Sequence, residues 1–392
     1  MLTNKSIKNY TGFFIITYLA YASIYISRFN LSIAAPAFTA GGIMNEAQIG
    51  LLGSIFSIVY ALGRLFNGTL NDKFTPWIML CTGLVAVGLS NIYSGVFLSF
   101  STMSVLWGIN AYGQSMLWGS ILQAMASVYE PNRVSKRTAL LGSSVAVGNL
   151  LGILVNTWII HITGNIRLAF IIPGGFNLLL CPLTFWALRK IPFVPATGKR
   201  KLLPFGLLKN KRIQQMLLPA FCHGVLKDNI GLWMAAFFVA RFNLDLKNSS
   251  AFLLFIPTMG FLGRIGYNFI FRLSGKSEAR VSAFSFIVCG ITAVALCVPI
   301  GSPALAMVSL GIMFAAVSVI NTYVLSVYPL SFAESGNIAT VSGFMDFGVY
   351  LAGGIGAAIY GALIEKFGYT PMFLSWAALS VLALLFLPKK TK

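Results

Sequence analysis

The sequence has little of what a soluble enzyme is built from. Charged residues make up 9% of its 392 positions, against about 25% in a typical soluble chain. Acidic residues are the scarcest, with 9 Asp and Glu against 28 Lys and Arg, and there are only 2 histidines. The five cysteines, Cys81, Cys181, Cys222, Cys289 and Cys297, stand singly in apolar surroundings. An odd, scattered set implies neither a disulfide framework nor a metal site, so packing is their expected use. There is no nucleophile and base pair, no metal-ligand cluster and no GxxxxGK[ST] loop. The expectation is therefore no enzyme, no cofactor, no metal and no ATP-driven step.

What is abundant is apolar surface, at 57% of residues. Windows of about 20 apolar residues, the length that spans a bilayer, predict twelve transmembrane helices. They run near 10–38, 47–71, 77–97, 102–128, 138–161, 167–188, 213–241, 248–272, 281–300, 304–328, 338–363 and 371–387. "MLTNKSIKN" enters the first window without a small-residue cleavage site, which predicts a retained helix in place of a signal peptide.

The net charge of +19 would suit nucleic acid, but the basic residues cluster in short segments between windows. With the N-terminus cytoplasmic, 20 Lys or Arg fall on that side, in segments such as "EPNRVSKR" and "PKKTK". Four fall opposite, namely Arg167, Arg241, Lys247 and Lys366. The positive-inside rule then places both termini in the cytoplasm. The polar stretch 189–212 becomes a cytoplasmic central loop between two six-helix bundles, 1–188 and 213–392. The halves echo each other at an offset of about 200, with "ALGRLFNGTL" against "FLGRIGYNFI" and "SRFN" against "LKDN". Repeats of this kind place a substrate site near the bilayer midplane.

Four basic residues lie well inside the windows, Arg28, Arg64, Lys227 and Arg264. Each costs about 2.5–3.5 kcal/mol at the bilayer centre even on a lenient scale, and intramembrane charge is functional by default. Two acids accompany them, Asp228 and Asp346, leaving a surplus of two positive charges. A phosphate monoester, carrying about −1.5 to −2 at pH 7, would neutralise that surplus, and arginine forks bind its oxygens bidentately. Helical spacing adds polar stripes: Tyr18, Tyr21, Tyr25, Arg28 and Ser32; Tyr60, Arg64, Asn67 and Asn71; Asn110, Gln114 and Trp118; Asp346 and Tyr350. His223 stacks one turn from Lys227, with Asp228 about 100° further round the helix.

Each position has a structural reading beside the functional one. Arg28, Lys227 and Arg64 are expected ligand contacts, the alternative being a structural ion pair. Arg264 is open to ligand contact or to pairing with Asp346 or Asp228. Those acids are counter-ions or proton carriers, and His223 is a titrating group or a hydrogen-bonded packing residue.

The segment "GTLNDKFTPW" resembles the cytoplasmic signature of the major facilitator superfamily, matching it at Gly68, Asp72 and Lys73 and departing at Thr75, Pro76 and Trp77. The departure, with "YISRFNLSIAAP" at Tyr25–Pro36, is similar to the organophosphate:phosphate antiporter family. The resemblance implies the major facilitator fold, a gate role for Asp72 with Lys73, and phosphate binding by Arg28, Lys227 and Arg64. Lys227 stands where glycerol-phosphate and hexose-phosphate members have Arg, Phe29 replaces a second basic residue, and helix five lacks an internal histidine, His161 lying at its outer end.

The expected function is secondary transport of a phosphorylated or other multiply charged organic anion, by exchange with inorganic phosphate. Tyr25, His223, Arg264, Asn110, Gln114, Tyr60 and Tyr350 are candidate substrate contacts beside the three basic residues, and Asp72, Lys73, Asp228 and Asp346 candidate gating or coupling groups. Two other readings stand: a proton-coupled symporter of organic carboxylates or sugar acids, and a sugar-phosphate sensor without net transport. The expected partners are a small anionic substrate, the lipid bilayer, and phosphate or protons as coupling species, with no nucleic acid. The expected form is a monomer in the bacterial cytoplasmic membrane.

Overall fold

A computed structural model describes residues 10–71, 73–129, 131–191, 209–244, 246–275, 277–298, 302–332 and 338–387. Among them are twelve long helices and no strand. They are α1 (Tyr10–Ala40), α2 (Glu46–Asn71), α3 (Pro76–Val96), α4 (Phe100–Val128), α5 (Pro131–Thr163) and α6 (Leu168–Leu188), then α7 (Lys211–Phe242), α8 (Leu246–Leu273), α9 (Glu278–Cys297), α10 (Pro303–Thr322), α11 (Ile338–Phe367) and α12 (Thr370–Phe386). Each falls on one predicted window, with ends shifted by a few residues. The largest shift is at α5, which starts at Pro131, seven residues before its window. Proline suits a first helical position, where a missing N–H removes no bond, and the charged "NRVSKR" continues the helix beyond its apolar part.

Side chains mark several starts: Ser99 accepts from the Thr102 N–H before α4, Asn210 from the Arg212 N–H before α7, and Ser277 from the Arg280 N–H before α9. These satisfy donors that a helix start leaves open. Beyond Thr322, α10 continues through a π turn at Tyr323–Val327 into a short helical turn at Tyr328–Leu330.

Eight of the helices are long and apolar enough to cross a membrane, and α12 is a shorter apolar helix. The remaining three, α4, α7 and α8, carry Asn110 and Gln114, His223 with Lys227 and Asp228, and Arg264. Arg28, Arg64 and Asp346 lie on α1, α2 and α11, which are among the eight. The chain is a multi-pass membrane protein.

Two compact units are present. One contains 1–34 and 62–202, the other 35–61 and 203–392. In lipid, apolar side chains gain little by facing one another, so close packing and hydrogen bonds must hold helices together. In the first unit α5 lies on α1 through Gly148 and Gly152. A Cβ added at Gly148 would lie 2.7 Å from the Ala22 carbonyl, and one at Gly152 would lie 2.9 Å from the Tyr25 carbonyl. In the second unit α7 meets α11 at Gly224, where a Cβ would overlap the Val349 backbone, and α8 meets α10 where Gly263 faces Ala315.

The α1–α5 approach predicts that Gly152→Leu forces the helices apart at a cost of about 1–3 kcal/mol, as for overpacked cores. Thermal unfolding of the purified protein should register this as a clear drop in Tm. An unchanged Tm would mean that α5 does not rest on α1 at Gly152.

Candidate functional site

In the first unit, Arg28 sits half-buried on α1, and the turns around it are held by amides from four other helices. Asn156 on α5 donates to the Ile26 carbonyl at 2.8 Å, and Asn110 on α4 to the Ser27 carbonyl at 3.2 Å. Asn177 on α6 donates to Ser27 Oγ at 2.7 Å and accepts from Ser23 Oγ at 2.9 Å. Asn30 donates to Asn91 Oδ1 on α3 at 2.7 Å. All five asparagines are fully buried. A buried amide without a partner is penalised strongly in an apolar medium, so these bonds fix the backbone on both sides of Arg28.

The tyrosine stripe of α1 continues the pattern. Tyr21 packs on Trp118 with ring centroids 5.0 Å apart and edge-on to Tyr25 at 5.6 Å, while Tyr18 OH lies 3.0 Å from Ser143 Oγ on α5. Gln114 donates to Asn110 Oδ1 at 3.0 Å. The structure thus places Asn110 and Gln114 in the packing behind Arg28. Arg64 is half-buried on α2, whose C-terminal end is tied to α4. Asn67 donates to Ser115 Oγ at 2.7 Å, Ser120 to Asn71 Oδ1 at 2.6 Å, and Gln123 to the Asn71 carbonyl at 2.8 Å.

In the second unit, Lys227 Nζ lies 3.2 Å from Asp228 Oδ1 and 4.0 Å from the centroid of the Tyr350 ring on α11. A cation over an aromatic face is attracted by the ring quadrupole. Tyr350 in turn packs on Tyr60, with centroids 4.7 Å apart. His223, one turn before Lys227, is completely buried and its Nε2 lies 3.1 Å from Asn321 Oδ1 on α10. Lys227 and Arg264 are both within electrostatic reach of His223. Asp346 is half-buried on α11, one turn before Tyr350, and Arg264 is half-buried on α8.

The other oxygen of Asp228, Oδ2, is buried and accepts no hydrogen bond among the described residues. It faces Gly353 of α11, where an added Cβ would overlap it. The neighbouring Asn229 donates to the Gly353 carbonyl at 3.2 Å, securing α7 to α11 at the same level.

Sequence reasoning did not single out Asn30, Asn91, Asn156, Asn177, Asn321 or Gly353. The available signal was the asparagine itself, a polar residue inside an apolar window, which in membranes commonly bonds across helices. Lys73 is exposed in the turn between α2 and α3, and Asp72 lies outside the described residues. Among the described residues no group of three His, Cys, Asp or Glu is placed to hold a metal. An apolar pocket between α7, α10 and α12, lined by Trp233, Phe237, Phe373 and Trp376 among others, has no charged lining residue.

The chain is 29% identical over 188 residues to the membrane sensor protein UhpC of Escherichia coli, a match covering 46% of this chain and 42% of that protein. It is 27% identical over 175 residues to a probable hexose phosphate transport protein of Chlamydia muridarum, covering 45% and 38%. The chain thus matches less than half the length of these two relatives. A hexuronate transporter of Bacillus subtilis is similar over nearly the whole length, at 25% identity over 396 residues with 93% and 91% covered. The fold is shared with a solved structure of a mutant nucleoside transporter NupG, at a TM-score of 0.80 and 16% identity, with 96% of this chain and 99% of that one covered. Residues 17–357 match the model of the Major Facilitator Superfamily, and the chain belongs to that family.

Proposed function

We propose that the protein is a secondary transporter of a phosphorylated or other multiply charged organic anion, exchanging it for inorganic phosphate across the bacterial cytoplasmic membrane. The observation carrying this reading is the fixation of Arg28. The carbonyls of Ile26 and Ser27, just before it, are held by Asn156 and Asn110, so the backbone that carries its guanidinium is fixed in place. Arg28 and Arg64 from the first unit and Lys227 from the second are the proposed anion ligands, with Tyr25, Tyr60, Tyr350, His223 and Arg264 around them. A cationic site resists reorienting when empty, because that moves an uncompensated charge through a dry barrier. Either anion removes the obstacle, which couples their exchange.

The bundles 1–188 and 213–392, joined by 189–212 and with both termini cytoplasmic, are the proposed moving halves. Asp72 and Lys73 are proposed to gate them. Similarity to a probable hexose phosphate transport protein and to a hexuronate transporter supports a hydroxylated anionic substrate. Similarity to a membrane sensor protein favours a second reading, anion sensing without flux.

Proteoliposomes loaded with phosphate should take up labelled phosphate or sugar phosphate faster than unloaded vesicles. Equal uptake in both, rising with an inward proton gradient, would instead identify a symporter; binding without uptake would identify a sensor. Arg28→Ala should weaken anion binding at least about 30-fold, given the 2–5 kcal/mol lost when one partner of a buried charge contact is removed. Arg28→Lys should recover only part of this, because lysine lacks the planar fork. A phosphate monoester should bind more weakly as pH falls through about 6, where its dianion takes up a proton. A titration series by thermal shift checks all three, and undiminished binding by Arg28→Ala would rule out the proposed site.

A further inference from the structure

Lys227 is not presented to a ligand as a bare cation. Its Nζ contacts Asp228 Oδ1 at 3.2 Å and the Tyr350 ring at 4.0 Å, and the two charged side chains are only 17% and 13% exposed. An anion that binds Lys227 must therefore contend with a negative charge already in place. The placement of Asp228 is specific. Oδ2 occupies the notch left by the missing side chain of Gly353, with no hydrogen bond among the described residues. Asn229 ties α7 to the Gly353 carbonyl immediately beside it. A carboxylate held mainly by one cation and a backbone notch, with one oxygen unbonded, is poorly satisfied for a buried charge. It is seated without being locked.

Resting on the anion-transport reading above, we propose that Asp228 is a built-in counter-anion of Lys227. It neutralises the lysine while no substrate is bound, yields part of that contact to an incoming phosphate or carboxylate, and takes it back on release. This makes Asp228 a positioning residue that weakens binding while hastening release. A proton carrier would instead leave the pH dependence of coupling in its hands, and a structural support would strengthen binding. The sign of its effect on affinity separates these roles. Because the displaced contact is the same for every ligand, phosphate monoesters and carboxylates are affected by similar factors.

The test is Asp228→Asn, which preserves the shape that fits beside Gly353, with Asp228→Ala as a second variant that also fits the notch. Affinity is measured for glycerol phosphate, inorganic phosphate and a hexuronate, and exchange rates in phosphate-loaded proteoliposomes. The expected result is binding about tenfold tighter for every anion that the wild type binds, the scale of one hydrogen bond to a charged group. KM and kcat should both fall, since release slows. Weaker or unchanged anion binding in a variant that retains the wild-type Tm without ligand would overturn the proposal, as would tighter binding for one anion class only. If both variants lose the wild-type Tm, Asp228 is a structural support and the proposal is likewise refuted. Wild-type protein that binds none of these anions would refute the transport reading itself, and the role of Asp228 with it.

Discussion

Everything in this molecule depends on the cost of placing charge and unpaired polar groups in a hydrocarbon layer. Water that would solvate a guanidinium or an amide at a soluble protein's surface is absent there, so each such group must be met by the protein or by a ligand. The fold uses neutral amides as fasteners between helices. Asn30, Asn110, Asn156 and Asn177 are all buried, and all of them bond to another helix or receive one. Each such bond contributes little, about 0.6 kcal/mol on average in a membrane protein. Their arrangement matters more than their sum, because the bonds converge on the turns of α1 that carry Arg28.

Charges are handled differently in the two units. In the first, Arg28 and Arg64 lie on helices that contribute no acid among the described residues near them in sequence. In the second, Lys227 carries its own carboxylate as the next residue, and an aromatic face besides. Glycine at 353 leaves room for the carboxylate of Asp228, which an added Cβ would overlap.

Much of the architecture was legible in the sequence because a bilayer imposes one dominant length, and apolar windows of that length are hard to disguise. The ion pair was harder to read. Lys227 and Asp228 point about 100° apart as consecutive helical residues, and it is the long, flexible lysine stem that swings its Nζ to the neighbouring carboxylate. The partner of Asn110 was hidden for a related reason: a stripe on one helix face looks the same whether it faces a ligand path or another helix. Distinguishing them requires the partner, here the Ser27 carbonyl 83 residues away in sequence. Gly353 carried no signal at all among the 38 glycines of the chain, since its meaning lies in what fills the space it leaves.

The most direct test of the central claim is an experimental structure with an organic phosphate bound. The account predicts phosphate oxygens within about 3 Å of the Arg28 guanidinium, the distance of a charge-assisted hydrogen bond. A phosphate bound elsewhere, with the Arg28 side chain engaged only by protein groups, would contradict it.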